Sequence, residues 1–422
     1  MTFRFVHAAD IHLDSPLRSL ALRNSELAEL IGNATRQAFV RIIDLCIAQN
    51  VDALLIVGDL YDGDQTSMKT ARFLHEQLKR LDDAKISTFI IRGNHDALSR
   101  ITKELVLPDS VKLFGGRAEV VEIDHADTPF PICIHGLSFA QAHAPDSLLP
   151  KYKHPQAGAF NIGLLHTSLA GSEGHDLYAP CSIKDLQESG FQYWALGHIH
   201  KRSIVEGSCA IVMPGMPQGR DINEAGAKSV SLVTVNHDRS IEIVEHVTSI
   251  AQFERLTINV GGLVEWPELV QFIGAALQQN AGMVTAEHGV FRVLLTGQTA
   301  LAWRIRRDGD LLMEELQAKA MSIGQTWIEK LEIACEPLAE NLSSKSDPLH
   351  DLYHLVHEDV LSTPAFQADA QKIAEELKAQ LPAECRDIFG QDEAEFQTII
   401  DGLVKVGAEN VIARLQSDES EA

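Results

Sequence analysis

The sequence has few cysteines and no long apolar run. Its six cysteines are scattered along 422 residues without a CxxC pair, which argues against a disulfide framework or a structural zinc site and favours free thiols in a reducing cytoplasm. No apolar run approaches the ~20 residues that a membrane helix needs. The N-terminal residues also lack the basic and apolar segments of a signal peptide. These absences predict a cytoplasmic protein with no membrane segment.

Positive charge is also scarce. The chain holds 36 Lys and Arg against 59 Asp and Glu, a formal net charge of -23. Residues 338–422 alone hold 18 acidic and 6 basic side chains and so contribute -12 of that charge. Binding to phosphates usually needs a basic surface, so the charge disfavours a stand-alone DNA-binding protein. It does not exclude a nuclease, because bound divalent metals offset carboxylates locally.

The chain is too long for one compact core, and its pattern changes twice. In the first hundred residues short apolar strands alternate with helical spacing, which predicts an α/β layered core. Strands dominate from there to Val247, and a shorter alternation of strands and helices follows. After Pro337 the pattern is helical, with a helix start at Thr363-Pro364 and a last helix over Glu393–Leu415 that breaks at Gly407. We therefore predict three regions with the boundaries 1–250, 251–337 and 338–422.

Five short polar motifs follow apolar runs in the first 200 residues. They are Asp10-Ile11-His12, Gly58-Asp59-Leu60-Tyr61-Asp62, Gly93-Asn94-His95-Asp96, His166 and Gly197-His198-Ile199-His200. In a layered α/β fold the carboxyl ends of strands gather at one edge, so these side chains should converge. Their donors are oxygen and nitrogen without a thiolate, which favours Mn²⁺, Fe²⁺ or Zn²⁺ in five- or six-coordinate geometry over a tetrahedral sulfur site.

The spacing within the motifs suggests how they reach one cluster. Residues i and i+2 of an extended segment point to the same face, which would direct both side chains of Asp10-x-His12, and likewise of His198-x-His200, to the site. The glycines that begin three motifs allow a sharp turn off each strand. Two metals ~3.5–4 Å apart suit hydrolysis of a phosphoester, because they activate water and neutralise charge on the attacking and leaving oxygens. His95 lies beside Asn94 and could protonate the leaving oxygen.

In this order the motifs D-x-H, G-D-x-x-D, G-N-H-D, H and G-H-x-H resemble those of the calcineurin-like metallophosphoesterases. The opening FVHAADIHLDSPL and the stretch YAPCSIKDL before YWALGHIH resemble the bacterial DNA-repair exonuclease branch, of the SbcD/YhaO type. The motif match covers about residues 1–220. The match of the middle region is looser, and the tail is matched mainly by position and helicity.

The resemblance implies a fold and a set of site residues. The fold would be a four-layer αββα metallophosphoesterase sandwich with a small α+β cap domain and a helical C-terminal region. Asp59 would bridge two metal ions, and His95 would be the catalytic proton donor. The first ion would also take Asp10, His12 and His200. The second would also take Asn94, His166 and His198.

The resemblance also implies an activity and partners. Members of this branch cut DNA as Mn²⁺-dependent exonucleases and single-strand endonucleases, by in-line attack of a metal-bridging hydroxide. They work with an SMC-like coiled-coil ATPase, which would dock on the C-terminal helices, and the resemblance also allows a homodimer. The branch carries Gly-Arg-His in a late loop where this chain has Gly219-Arg220-Asp221, so one proton donor or cation near the substrate is absent here.

Several readings stay open from the sequence alone. An enzyme of the same superfamily could act on a small phosphoester or nucleotide, and a mainly structural subunit could load an ATPase onto DNA. His175 and Arg220 could contact substrate phosphates or be solvated loop residues. Asp62 could orient a ligand or only begin a helix, and His135 fits a buried core histidine.

Overall fold

The computed structural model describes ten stretches of the chain. They are residues 2–15, 25–62, 67–97, 106–123, 128–169, 178–338, 348–381, 386, 388–390 and 392–415. The chain divides into two compact units. The first comprises Met1–Glu254 with Met283–Val290, and the second comprises Arg255–Gly282 with Phe291–Ala422.

In its described residues, the first unit contains two six-stranded sheets and three α-helices. Its strands are β1 Phe3–Ala8, β2 Ala53–Val57, β3 Ser87–Ile91, β4 Val111–Leu113, β5 Glu119–Ile123, β6 Ile132–Gly136, β7 Phe160–His166, β8 Tyr193–Gly197, β9 Ser203–Val205, β10 Ala210–Met213, β11 Ser229–Val235 and β12 Ile241–Val247. Its helices are α1 Ser25–Ala48, α2 Met68–Asp83 and α3 Ile183–Glu188. One sheet has the order β12-β11-β1-β2-β3-β4 and the other the order β5-β6-β7-β8-β10-β9.

Alternating side chains of these strands build the layers. Phe5 and Leu55 of the first sheet pack against Ile134 and Leu164 of the second in one buried cluster, so the two sheets lie face to face. The opposite face of the first sheet packs on α1 and α2. The opposite face of the second sheet, around Trp194, packs on α3 and neighbouring loops. This layering confirms the predicted αββα sandwich.

Strand direction sets where the polar motifs fall. Strands β1, β2, β3 and β4 are parallel neighbours, as are β6, β7, β8 and β10. The carboxyl ends of β1, β2 and β3 therefore meet at one edge of the first sheet, and those of β7 and β8 meet at one edge of the second. All five motifs begin at these ends.

The second unit combines a three-stranded sheet with helices. Its sheet has the order β13-β14-β15. Strands β13 (Ala251–Asn259) and β14 (His288–Gln298) each begin with residues of the first unit, and β15 spans Thr326–Glu336. Its helices are α4 Trp266–Ala281, α5 Ala302–Arg307, α6 Gly309–Ile323, α7 Pro348–His354, a π-helical turn Leu355–Val360, α8 Pro364–Gln380 and α9 Glu393–Leu415. An ion pair between the nearly buried Arg306 and Glu409 (2.6 Å) joins α9 to α5.

The predicted break at Gly407 is wrong, because α9 runs without interruption. A glycine inside a helix costs about 1 kcal/mol relative to alanine, and the buried contacts of Phe396, Ile400 and Ile412 outweigh that cost. The predicted start of α8 is confirmed, since the Thr363 side chain accepts a hydrogen bond from the Phe366 amide. Among the described helices, none has the length and apolar character needed to span a membrane.

Candidate metal centre

The loops after β1 and β2 run side by side and carry the first two motifs. The backbone N–H of Asp10 donates to Gly58 O (3.1 Å), and that of His12 donates to Asp59 O (3.0 Å). Asp10, His12 and Asp59 all adopt positive φ, between 46° and 52°. This left-handed backbone costs ~1 kcal/mol or more for each non-glycine residue, so the loop–loop hydrogen bonds must hold it in place.

The structure therefore corrects the argument from extended i, i+2 spacing. Strand β1 ends at Ala8, and both Asp10 and His12 lie beyond it in left-handed turns. His198 likewise follows the end of β8 with a φ of 99°. The two side chains of each motif approach the site because of turns that the alternation of a strand does not describe.

Asp10, His12 and His200 form a first ligand group, whose donor atoms lie within 4.8 Å of one another. The Nε2 atoms of His12 and His200 are 3.3 Å apart. The His12 Nδ1–H donates to Asp62 Oδ1 (2.7 Å), and the His200 Nδ1–H donates to Glu224 Oε1 (2.9 Å). Each Nε2 therefore directs a lone pair inward, and two lone pairs this close fit a shared cation.

Asp59, His166 and His198 form a second ligand group, also within 4.8 Å. The His166 Nδ1–H donates to the Val57 carbonyl (3.1 Å), which leaves its Nε2 facing Asp59 Oδ2 at 3.3 Å. Asn94 Oδ1 lies 3.0 Å from His166 Nε2 and 3.3 Å from His198 Nδ1. The amide oxygen thus adds a neutral donor to this group.

Two backbone hydrogen bonds place the groups next to each other. The His198 N–H donates to both carboxylate oxygens of Asp10 (3.1 and 3.0 Å), and the His95 N–H donates to Asp59 Oδ1 (3.0 Å). The structure thereby brings together every residue predicted as a ligand. They are Asp10, His12, Asp59, Asn94, His166, His198 and His200.

Buried charges dominate the electrostatics of the site. Burial raises the pKa of Asp10 above its usual range. Burial would also raise the pKa of Asp59, but the charge and hydrogen bond of His166 outweigh it and hold that pKa well below its usual range. Burial would lower the pKa of His166, yet Asp59 and Asp10 raise it to about 9. A divalent metal bound among these carboxylates and imidazoles would take the place of the proton that His166 otherwise holds.

The glycines of the motifs are needed for close approach. A Cβ at Gly93 would lie 2.3 Å from Asp59 Oδ1, and one at Gly197 would lie 2.0 Å from the Val57 carbonyl oxygen. Gly58 would place a Cβ 2.2 Å from His166 Nδ1, and of these three it alone has a left-handed φ, 84°. The predicted role in turning the backbone therefore applies to Gly58, while Gly93 and Gly197 leave room for neighbouring atoms.

His95 lies at the edge of the first group. Its side chain is 46% exposed, its ring meets that of His12 edge to face at 5.1 Å, and its Nδ1 lies 3.4 Å from Asp62 Oδ1. Burial of the remaining surface lowers its pKa. A histidine that is partly exposed beside a ligand group can reach a substrate oxygen, and its role as proton donor stays a prediction.

Arg220, one of the two residues predicted to contact substrate, lies beside two protein carboxylates. The Arg220 guanidinium donates to Glu224 Oε1 (2.7 Å), and its Nη1 lies 4.0 Å from Asp62 Oδ1. The neighbouring Asp221 caps a short 3-10 turn by accepting from the Asn223 amide. His175 lies outside the described residues.

Sequence reasoning missed Glu224, the carboxylate that orients His200. It left the role of Asp62 open, which the hydrogen bond to His12 now defines. Asp96, the last residue of the third motif, accepts from the amides of Gly93 and Leu60 and so joins two motif loops. Metal-bound histidines usually donate their second N–H to a carboxylate or carbonyl. The acidic residues that follow Arg220 were therefore candidates for such a partner, and Glu224 is one of them.

A buried histidine of β1 was also missed. His7 Nε2–H donates to the Leu196 carbonyl (3.0 Å), and its Nδ1 accepts from the Tyr193 hydroxyl (3.0 Å). It therefore supports the end of β8, where the GHIH motif begins. His135 is a buried core histidine as expected, with Nε2 bonded to Asn161 Oδ1 (2.9 Å).

Two ranges of the chain match families of known proteins. Residues 3–202 match the calcineurin-like phosphoesterase family, and residues 253–336 match the middle domain of metallophosphoesterase YhaO. An uncharacterized metallophosphoesterase YhaO of Bacillus subtilis is 36% identical over 240 residues, 56% of this chain and 59% of the relative.

More distant relatives are named as repair proteins. The DNA double-strand break repair protein Mre11 of Sulfurisphaera tokodaii is 28% identical over 222 residues, 51% of this chain and 54% of the relative. Mre11 of Methanocaldococcus jannaschii is 28% identical over 207 residues, 47% and 51% of the two chains. The matches thus span a little over half the length of these curated relatives. The motifs assemble at the strand ends, and residues 3–202 are a domain of the calcineurin-like metallophosphoesterase family.

Proposed function

We propose that the chain hydrolyses DNA phosphodiester bonds at a centre of two divalent metal ions. The observation that carries this proposal is the pair of adjacent ligand groups, Asp10/His12/His200 and Asp59/His166/His198. Two neighbouring cation positions are the arrangement that phosphoester hydrolysis uses in many nucleases and phosphatases.

The residues divide between the two positions as their contacts suggest. The first position takes Asp10, His12 and His200, the second takes Asn94, His166 and His198, and Asp59 is shared. Two divalent ions bound by these residues would neutralise phosphate charge and lower the pKa of water. Mn²⁺ suits this set, because it accepts both carboxylate oxygens and imidazole nitrogens. His95, at the edge of the site, holds the proton that the leaving oxygen needs.

The repair proteins support DNA as the substrate. Regions of this domain are similar to Mre11 proteins, which are named for repair of double-strand breaks. A partner ATPase would fit the C-terminal helices, which expose apolar side chains to solvent. These side chains are Leu355, Ile373, Leu377, Leu403, Val406 and Val411.

We also infer that the protein works in a reducing compartment. Five cysteines in the described part of the chain are buried as free thiols. Burial raises the pKa of Cys46 above its usual range and that of Cys181 to about 11. Such thiols are inert and suit a protein that never meets an oxidising environment.

A nuclease assay with Mn²⁺ tests the proposed function. Labelled linear duplex and single-stranded DNA are incubated with the wild-type chain and with Asp59→Asn, and bis-p-nitrophenyl phosphate serves as a small substrate. We expect Mn²⁺-dependent cleavage of DNA that Asp59→Asn abolishes. Asp52→Asn serves as a control, because Asp52 binds the Arg4 amide away from the site.

The outcomes separate the alternatives. Hydrolysis of the small ester without cleavage of DNA would show a small-molecule phosphoesterase, which the net charge of -23 favours. No metal-dependent hydrolysis of any of the three substrates would leave a structural role and contradict the proposal.

A further inference from the structure

We propose that Arg220 is a positioning residue of the first metal position, where it fixes the carboxylates of Glu224 and Asp62 behind two metal-binding histidines. This inference rests on the proposed two-metal centre. It replaces the reading of Arg220 as a direct contact to substrate.

Glu224 is held on both sides. Its Oε1 accepts from His200 Nδ1 (2.9 Å) and from Arg220 Nη2 (2.7 Å), and its Oε2 accepts from the Arg220 backbone amide (2.7 Å). Arg220 Nε lies 3.2 Å from both oxygens. Such a two-point contact fixes the plane of the carboxylate, and through it the plane of the His200 imidazole.

The same guanidinium faces the second carboxylate. Arg220 Nη1 lies 4.0 Å from Asp62 Oδ1, the atom that accepts from His12 Nδ1 at 2.7 Å. Nη1 also donates to Ser15 Oγ (3.4 Å). The guanidinium is therefore directed at three protein acceptors, and its side chain is only 23% exposed.

Arg220 faces a concentration of negative charge. Glu224 and Asp62 are two largely buried carboxylates within a site that already contains Asp10 and Asp59. Arg220 supplies the positive charge that faces both of these carboxylates. Without the arginine, the carboxylates would rotate toward other donors, and His200 would lose a fixed orientation.

The effect should be confined to one metal position. His12 and His200 both belong to the first ligand group, and both carboxylates act on their outer nitrogens. The second group has other supports, since His166 donates to the Val57 carbonyl and His198 faces Asn94. Loss of Arg220 should therefore weaken one ion and leave the other in place.

Mn²⁺ binding to the full-length chain, without DNA, tests the inference. Metal-free wild type, Arg220→Gln, Arg220→Lys and Glu224→Gln are titrated with Mn²⁺ by calorimetry, and the electron paramagnetic resonance signal of a spin-coupled ion pair is followed. Arg292→Gln is the matched control, because it breaks a similar Arg–Glu contact with Glu329 (2.6 Å) in the second unit.

We expect wild type and Arg292→Gln to bind two ions and show the coupled signal. In Arg220→Gln and Glu224→Gln, one position should weaken by about tenfold to a hundredfold, as for other residues that orient metal ligands. Arg220→Lys should recover part of that loss, because it restores the charge but not the forked geometry. The signal should change to that of a single ion at limiting Mn²⁺.

Wild-type affinity at both positions in Arg220→Gln and Glu224→Gln would overturn the inference. A wild-type chain that binds a single ion would contradict the two-metal proposal itself. The inference would then be decided by whether Arg220→Gln weakens that remaining ion.

Discussion

Two histidines separated by one residue face different ligand groups. His198 Nδ1 approaches Asn94, whereas His200 Nε2 approaches His12. The left-handed backbone at His198 makes this divergence possible. The GHIH motif therefore contributes one imidazole to each proposed metal position.

Substitution of each histidine should empty a different position. His198→Ala should remove the ion held by Asn94 and His166, and His200→Ala the ion held by Asp10 and His12. Double variants distinguish the two positions: His198→Ala with Asn94→Ala should retain one Mn²⁺ by metal analysis, and His198→Ala with His12→Ala should retain none. Equal Mn²⁺ content in both double variants would contradict this division.

His95 should affect turnover without affecting metal content. Removal of a general acid lowers the rate by about 10²–10⁴-fold, and His95 contacts the ligand groups mainly through its backbone amide, which alanine keeps. His95→Ala should therefore bind two Mn²⁺ while its kcat on DNA falls by that factor. His75→Ala, at a histidine bonded to the Val106 carbonyl, is the control. Full activity of His95→Ala would refute the proposed role.

At the scale of elements, the sequence predicts buried strands better than short or exposed elements. The short apolar strands predicted in the first hundred residues are found as β1 and β2, because each is a sharply bounded run of strand-forming residues. The short helix α5 and the three-residue strand β9 were not predicted. Their few residues carry too little periodicity, and long-range packing determines them.

The residues proposed as metal ligands were predictable because they lie in compact motifs, while the residues that orient them were not. The left-handed turns at Asp10 and Asp59 depend on hydrogen bonds between two loops that lie about fifty residues apart in sequence. Glu224 comes from a later loop without a recognisable spacing. Contacts of this kind arise from the tertiary fold, which local patterns do not encode.

Substitution of Gly197, the last residue of β8, tests how closely the motif loops pack around the site. A Cβ at Gly197 would lie 2.0 Å from the Val57 carbonyl oxygen, so Gly197→Ala must move the backbone that leads into His198. Overpacking of this kind costs about 1–3 kcal/mol. We expect a lower free energy of unfolding and weaker Mn²⁺ binding, measured by denaturant unfolding and calorimetry.

A second glycine provides the control for that substitution. Gly402 lies inside α9 with no neighbouring atom within 4 Å of an added Cβ. Gly402→Ala should therefore raise the free energy of unfolding by about 0.5–1 kcal/mol and leave Mn²⁺ binding unchanged. If both substitutions had the same effect, the close approach at Gly197 would not limit the site.

At the scale of the whole molecule, a strongly acidic chain is proposed to bind DNA, which is itself negatively charged. The chain carries a net charge of -23, of which residues 338–422 supply -12. Two divalent ions would place four positive charges where Asp10 and Asp59 are buried. The metal centre would then be the part of the first unit that attracts a phosphate most strongly, so DNA binding by this chain alone should depend on metal.

This dependence can be measured without cleavage by using His95→Ala, which should retain both ions. Fluorescence anisotropy of labelled duplex DNA should show binding at least about tenfold tighter in Mn²⁺ than in EDTA, and this gain should shrink as salt rises. Combining His95→Ala with Asp59→Asn separates binding at the centre from general effects of Mn²⁺ on DNA, because the gain should disappear. Equal affinity in Mn²⁺ and EDTA would mean that DNA is held by basic side chains away from the centre, and that the acidic tail does not limit binding.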